Sequence, residues 1–190
     1  MSKLQDAKRK QFYGQLKAVI KPELVRAGFD SDGDRVFRRL VPKDDLPVIQ
    51  IIEFQVGVKR LIGKYTANVG VFSNRFLPEN WHVVSGAPVP LDCLPAMRER
   101  LGYFFDPPRS LTDSLLGRSK QPRHDYWWDQ FADEEKMAKG LRSVLLCLQQ
   151  EVLPWLDSLS CRDAFERALR ELERAKKRKE SQGSGVSIEQ

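Results

Sequence analysis

Apolar residues recur every three or four positions over the first part of the chain. Phe12, Leu16, Val19, Ile20 and Leu24 fall on one face of a helix predicted over residues 3–27. Pro22 interrupts that pattern; it removes a backbone donor, so the helix kinks or restarts there. Arg26 in the last turn and Gly28 just past it form a C-terminal stop, after which Phe29 folds back over the final turn. From residue 36 the period shortens to two, and strands are predicted over 36–41, 48–55 and 65–72. In the second, Val48, Gln50, Ile52 and Phe54 point one way while Ile49, Ile51, Glu53 and Gln55 point the other. In the third, Tyr65, Ala67, Val69 and Val71 alternate with Thr66, Asn68, Gly70 and Phe72. The connections 42–47 and 56–64 suit hairpins, so the sheet is expected to be antiparallel with one face sealed by helices.

Between residues 73 and 122 the periodicity dissolves, and seven of the eleven prolines fall there. A fourth strand is expected over 96–105, with Arg98 and Arg100 on one side and Met97, Glu99 and Leu101 on the other. So long an irregular stretch is either functional or mobile. Helical spacing returns near Asp133, where Met137, Leu141, Val144, Leu145, Leu148, Val152 and Leu156 form a buried stripe that Pro154 bends or ends. Ser160 is expected to cap a third helix, with Asp163 at the capping-box position. Ala164, Phe165, Ala168, Leu169 and Leu172 give that helix a narrow apolar seam. The fold class expected is α+β: an antiparallel sheet of three to four strands, with an N-terminal helix and long C-terminal helices packed on one face. Residues 1–160 are read as a single domain, 161–180 as a charged helix and 181–190, rich in Ser and Gly, as a disordered tail.

A chain of 190 residues has room for one sizeable core. Three widely spaced cysteines, Cys93, Cys147 and Cys161, favour reduced thiols over a disulfide framework. No apolar run is long enough to cross a bilayer and the N-terminus lacks a signal-peptide core, so a cytoplasmic location with no membrane partner is expected. The net charge of +6 is spread out: residues 1–34, 35–161 and 162–190 each carry a surplus of two (7 basic against 5 acidic, 17 against 15, 8 against 6). Its one dense cluster spans residues 174–179, where solvation and compensation of the helix dipole compete with nucleic-acid contact as explanations.

Candidate chemistry narrows the field further. Asp30-Ser-Asp-Gly-Asp34 has alternating carboxylates, but Arg35 and Val41 stand where a calcium loop needs glycine and glutamate, so it reads as a polar turn. His82 and His124 have no second ligand at suitable spacing, and neither a metal nor a cofactor is expected. No G-x-S-x-G, Walker loop or G-x-G-x-x-G occurs. Lys120, Arg123, His124, Tyr126, Trp127 and Trp128 interleave cations with aromatics, as single-stranded nucleic-acid sites do, although paired tryptophans before a helix also serve to close a core. Glu53 and Gln55, Thr66 and Asn68, and Arg98 and Arg100 share one sheet face if the registers align. Two guanidinium forks beside amides and a carboxylate would then make a directional site for an anion; an ordinary solvated face is the alternative.

Several short motifs occur in a familiar order: Ile20-Lys-Pro-Glu-Leu24 before Ala27-Gly-Phe29, Ile49-Gln-Ile-Ile-Glu-Phe-Gln55, Thr66-Ala-Asn-Val-Gly70, Arg98-Glu-Arg-Leu-Gly102, Trp127-Trp128 and Val152-Leu-Pro-Trp155. Together they resemble a bacterial family, domain of unknown function 4304, over roughly residues 8–165. That resemblance implies a small mixed fold and supplies no catalytic residues; Glu53 stands where the family would be expected to carry asparagine. The function expected is a non-enzymatic module binding a protein partner through the polar sheet face and the 73–122 region. Nucleic-acid binding, and an enzyme or binder acting on a small anionic ligand, are the alternatives. Candidate binding residues are Glu53, Gln55, Thr66, Asn68, Arg98, Arg100 and Trp127.

Overall fold

The computed structural model describes residues 3–33, 35–43, 46–57, 59–78, 87–104, 128–129 and 133–183. Helix α1 (Lys3–Val19) ends at Ile20, and Pro22 sits in the first turn of α2 (Lys21–Arg26), where its missing N–H costs no hydrogen bond. Gly28 adopts φ +86°, its N–H donates to the Val25 carbonyl at 2.9 Å, and the Phe29 N–H donates to Leu24 O at 2.9 Å. This paired closure drops Phe29 into the core, so the stop read from Arg26 and Gly28 also sets the exit direction of the chain.

Five strands then form a sheet in the order β1 (Asp30–Asp32), β2 (Val36–Lys43), β3 (Leu46–Val56), β4 (Lys64–Phe72) and β5 (Arg98–Arg100), every pair antiparallel. A sixth, β6 (Trp128–Asp129), pairs with Lys64 and Tyr65 of β4. The mixed α+β class and the antiparallel sheet are as expected, but among the described residues the strands number six where three to four were predicted. The polar turn at 30–34 contributes one of the extra strands. Asp30, Ser31 and Asp32 carry no apolar signal; they pair through backbone groups with Arg38, Phe37 and Val36. The strand expected over 96–105 is only three residues long. Single 3-10 turns, Pro95–Met97 and Leu101–Tyr103, bracket it.

The inner sheet face carries Phe37, Val48, Ile52, Phe54, Tyr65, Ala67, Val69 and Val71, all buried. Against it lie Phe12, Leu16 and Leu24 from the N-terminal helices, and a long C-terminal helix built from α3 (Glu134–Cys147), a π-helical turn (Leu148–Val152) and α4 (Leu153–Leu159). Asp133 caps α3, its side chain accepting from the Lys136 N–H at 2.8 Å. The helix passes through Pro154 without ending. The wide turn immediately before it relieves the clash that a proline ring makes with the carbonyl four residues back. Tyr65 stacks on Trp128 (centroids 5.7 Å, 23°) and lies 4.6 Å from the Phe12 ring, so Trp128 closes the core.

A polar knot sits within this inner layer. Gln50 is fully buried and its amide is fully used: Oε1 accepts from Arg39 Nε (2.8 Å) and Nη2 (2.6 Å), while Nε2 donates to Asp157 Oδ1 (2.9 Å) and Ser160 Oγ (2.9 Å). Arg39 also donates from Nη1 to Ala27 O (3.0 Å), pairs with Asp157 (2.6 Å) and lies over the Phe29 ring at 4.9 Å. The end of α2, two strands and the end of α4 are thereby tied at one point. Ser160 is not the cap expected for the last helix, because its hydroxyl donates to Leu156 O (2.7 Å) and accepts from Gln50. That helix, α5 (Arg162–Gly183), packs chiefly on the turns at Pro95–Met97 and Asn74–Phe76 and not on the sheet face, with Phe165 stacked on Phe76 at 5.0 Å.

Candidate functional site

The outer sheet face is organised in cross-strand rows. One row runs Arg38, Ile51, Gly70, Arg98; the next runs Val36, Glu53, Asn68, Arg100; beyond it Gln55 pairs with Thr66. The face was expected to be open and polar, but its apolar half is covered. Residues 87–97 fold over it as a flap of two proline-initiated 3-10 turns, Pro90–Asp92 and Pro95–Met97, burying Pro88, Pro90, Cys93, Leu94 and Met97. The first turn is closed from both ends: Asp92 N–H donates to Val89 O (2.9 Å) and Val89 N–H to the Asp92 carboxylate (2.8 Å). Arg38 Nε holds Pro88 O (2.8 Å) and Arg98 Nη1 holds Leu91 O (2.7 Å). The close approach needs Gly70, since a Cβ there would lie 2.7 Å from Cys93 Sγ.

Beside the flap the polar half of the face forms the floor of a cleft of about 820 Å³. Glu53, Gln55, Asn68, Arg98 and Arg100 line it together, with Pro90, Leu91 and Pro95 of the flap as one wall. The floor is internally ordered: Arg100 Nε donates to Asn68 Oδ1 at 3.3 Å, and Asn68 Nδ2 donates to Gln55 Oε1 at 3.0 Å. Strand spacing places the Glu53 and Arg100 backbones about 10 Å apart across Asn68. The Glu53 carboxylate makes no hydrogen bond or ion pair among the described residues. Arg9, Arg35, Arg98 and Arg100 outnumber Glu53 and Glu99 on the lining, so the cleft is net positive.

Five of the seven candidate residues are thus brought together. Thr66 is not among them: it is fully buried and does not line the cleft. Trp127 lies outside the described residues, as do His82, His124 and the 120–126 stretch. No match to a family model, a curated protein or a solved structure is found for this chain. The resemblance to domain of unknown function 4304 rests on its short motifs alone. Among the described residues no group of three or more His, Cys, Asp or Glu side chains can hold a metal ion, and no helix is long and apolar enough to cross a membrane.

Sequence reasoning missed the two further arginines, and named the flap wall only as part of the 73–122 region. Arg35 could have been found, because counting back along the β2–β3 hairpin puts it beside Phe54, whose N–H it accepts at 2.9 Å. Arg9 carries no local signal, since only the docking of α1 brings it to the cleft. Cys93 is a buried free thiol in the flap. Burial pushes its thiol up to about 12, with Asp92 adding to the rise and Arg98 opposing it; Cys147 is pushed by burial to about 11. At pH 8 a thiol at 11 is ionised only about 0.1 % of the time, and the thiolate is the reactive form. Titration of the native protein with a disulfide reagent at pH 8 should therefore label half-buried Cys161 first, with Cys93 and Cys147 reacting at least about 100-fold more slowly than in denaturant. Rapid labelling of all three would show the flap and the inner layer to be open.

Proposed function

We propose that this protein is a binding module whose ligand is a small molecule carrying an anionic group, a carboxylate or a phosphate, seated in the cleft over Glu53, Asn68 and Arg100. The observation that supports this reading is the register. Adjacent strand rows deliver a carboxylate, two amides and two guanidinium groups to the floor of one cleft, whose volume falls within the roughly 300–1,000 Å³ usual for small-molecule sites. Guanidinium forks suit planar oxyanions, and here Asn68 orients one of them. Glu53, across the row from Arg100, favours a ligand that also carries a hydroxyl or amine donor. A second reading, a protein partner presenting an acidic group, is favoured by Leu91, an apolar side chain 73% exposed on the flap wall.

Thermal-shift titration with inorganic phosphate, citrate, a nucleoside monophosphate and a zwitterionic amino acid tests the first reading. At least one small anion should raise the melting temperature of the wild type, and the Arg98→Ala/Arg100→Ala variant should lose that shift. Glu53→Gln should keep anion binding while losing preference for the amine-bearing probe. If no small anion binds and only an acidic peptide does, with binding abolished by Leu91→Ser, the second reading replaces the first.

A further inference from the structure

Helix α5 has two halves of different character. In the first, Ala164, Phe165 and Ala168 are buried and Leu169 and Leu172 half-buried; from Glu173 to Ser181 every described side chain is exposed. Along the side opposite the apolar seam run Arg167, Arg170, Arg174, Lys177 and Arg178, at spacings of three, four, three and one, all exposed. They form one stripe about 16 Å long. Of these five, only Arg170 has an ion pair among the described residues, a loose 3.8 Å contact to Glu166. Asp163 stands at the head of the stripe, and Glu166, Glu171 and Glu173 lie three or four residues from its cations along the helix.

Compensation of the helix dipole does not account for this arrangement. That effect is confined to the last turn, whereas Arg167, Arg170 and Arg174 lie well before it. The neighbouring carboxylates offset the four-residue like-charge spacing of Arg170, Arg174 and Arg178 only in part, since residues 162–181 carry eight cations against five anions. A stripe of that kind is relieved by a row of anions. We propose that α5 docks on the phosphate backbone of a double-stranded nucleic acid through Arg167, Arg170, Arg174, Lys177 and Arg178. The site is separate from the cleft and independent of its ligand. An anionic membrane fits less well, because the seam is engaged by the body of the protein and the projecting half offers no apolar residue other than Ala175 for insertion. The major groove of B-form DNA accepts a helix of this diameter, an RNA duplex offers its phosphates from outside the groove, and contact with phosphates alone carries no sequence preference.

Fluorescence anisotropy with mixed-sequence 24-base-pair DNA and RNA duplexes, at salt concentrations from 50 to 200 mM, tests the proposal. Five phosphate contacts predict a slope of log affinity against log salt near about −4.5. The exposed-residue variant Arg174→Gln/Lys177→Gln/Arg178→Gln should flatten that slope by about 2.7 and weaken binding at least about 10-fold at 50 mM salt, with unchanged helical circular dichroism. Lys139→Gln/Arg142→Gln on α3 should bind as the wild type does. The two duplexes distinguish DNA from RNA as the source of the phosphates. No binding to either duplex at 50 mM salt, an unchanged slope in the triple variant, or equal loss in the α3 variant overturns the proposal. So does equally tight binding to a polyglutamate peptide, which would assign the stripe to an acidic protein.

Discussion

Replacing Gln50 with leucine is expected to destabilise the protein by about 3 kcal/mol, which for a chain of this size lowers the melting temperature by roughly 6–12 °C. Leucine fits the volume and suits the apolar inner face, so composition alone would call the change benign. The knot says otherwise. Gln50 satisfies Arg39 twice, and donates to Asp157 and Ser160. Its loss removes the contact that couples all three and leaves the buried Ser160 hydroxyl and the inward side of the Arg39 guanidinium facing an alkyl group, while the exposed Asp157 carboxylate turns to water. Arg39 keeps its Asp157 and Ala27 contacts, which is why the expected cost is a few kcal/mol and not the whole stability. Urea unfolding of the two proteins checks this. A cost below about 1 kcal/mol would mean that water reaches the knot and that its hydrogen bonds are readily replaced.

The second large effect is expected at Gly70, where outer-face packing and the cleft meet. Gly70→Ala brings a Cβ to 2.7 Å from Cys93 Sγ, 3.3 Å from Cys93 Cβ and 3.4 Å from Arg98 Cβ. Overpacking of this kind costs about 1–3 kcal/mol. The strain falls on the flap, because β4 is held on both sides by neighbouring strands. Cys93→Ala removes the sulfur and with it the nearest clash. The double variant should be at least about 1 kcal/mol more stable than the sum of the two single costs predicts. Additive costs would show that the flap does not rest on Gly70. Because Pro90, Leu91 and Pro95 wall the cleft, Gly70→Ala should also weaken any ligand bound there, although residue 70 does not line it.

The parts legible in the sequence were those with a local period. Alternation along 48–55 and 65–72 assigned the faces of β3 and β4, and the hairpin-length connections implied antiparallel pairing, so the Glu53, Asn68 and Arg100 row followed once the registers were known. Residues 137–156 were readable as one buried stripe because helical periodicity persists across Pro154. Illegible parts lacked such a period. Strand β1 is three polar residues whose pairing uses only backbone groups. Ser160 resembled a helix cap because capping signatures are local, whereas the partner that claims its hydroxyl is Gln50, 110 residues away.

Taken alone, the sequence determined the fold class, the inner face of the sheet and the helices that seal it, because burial of an apolar stripe needs only the spacing of residues along one element. The tertiary structure decided how far the polar face stays open. The flap covers its apolar half and leaves a net positive cleft over the rest, a result that depends on a glycine in β4 meeting a cysteine 23 residues later. Such contacts between distant segments leave no periodic trace, and they convert a polar strand face into a bounded site.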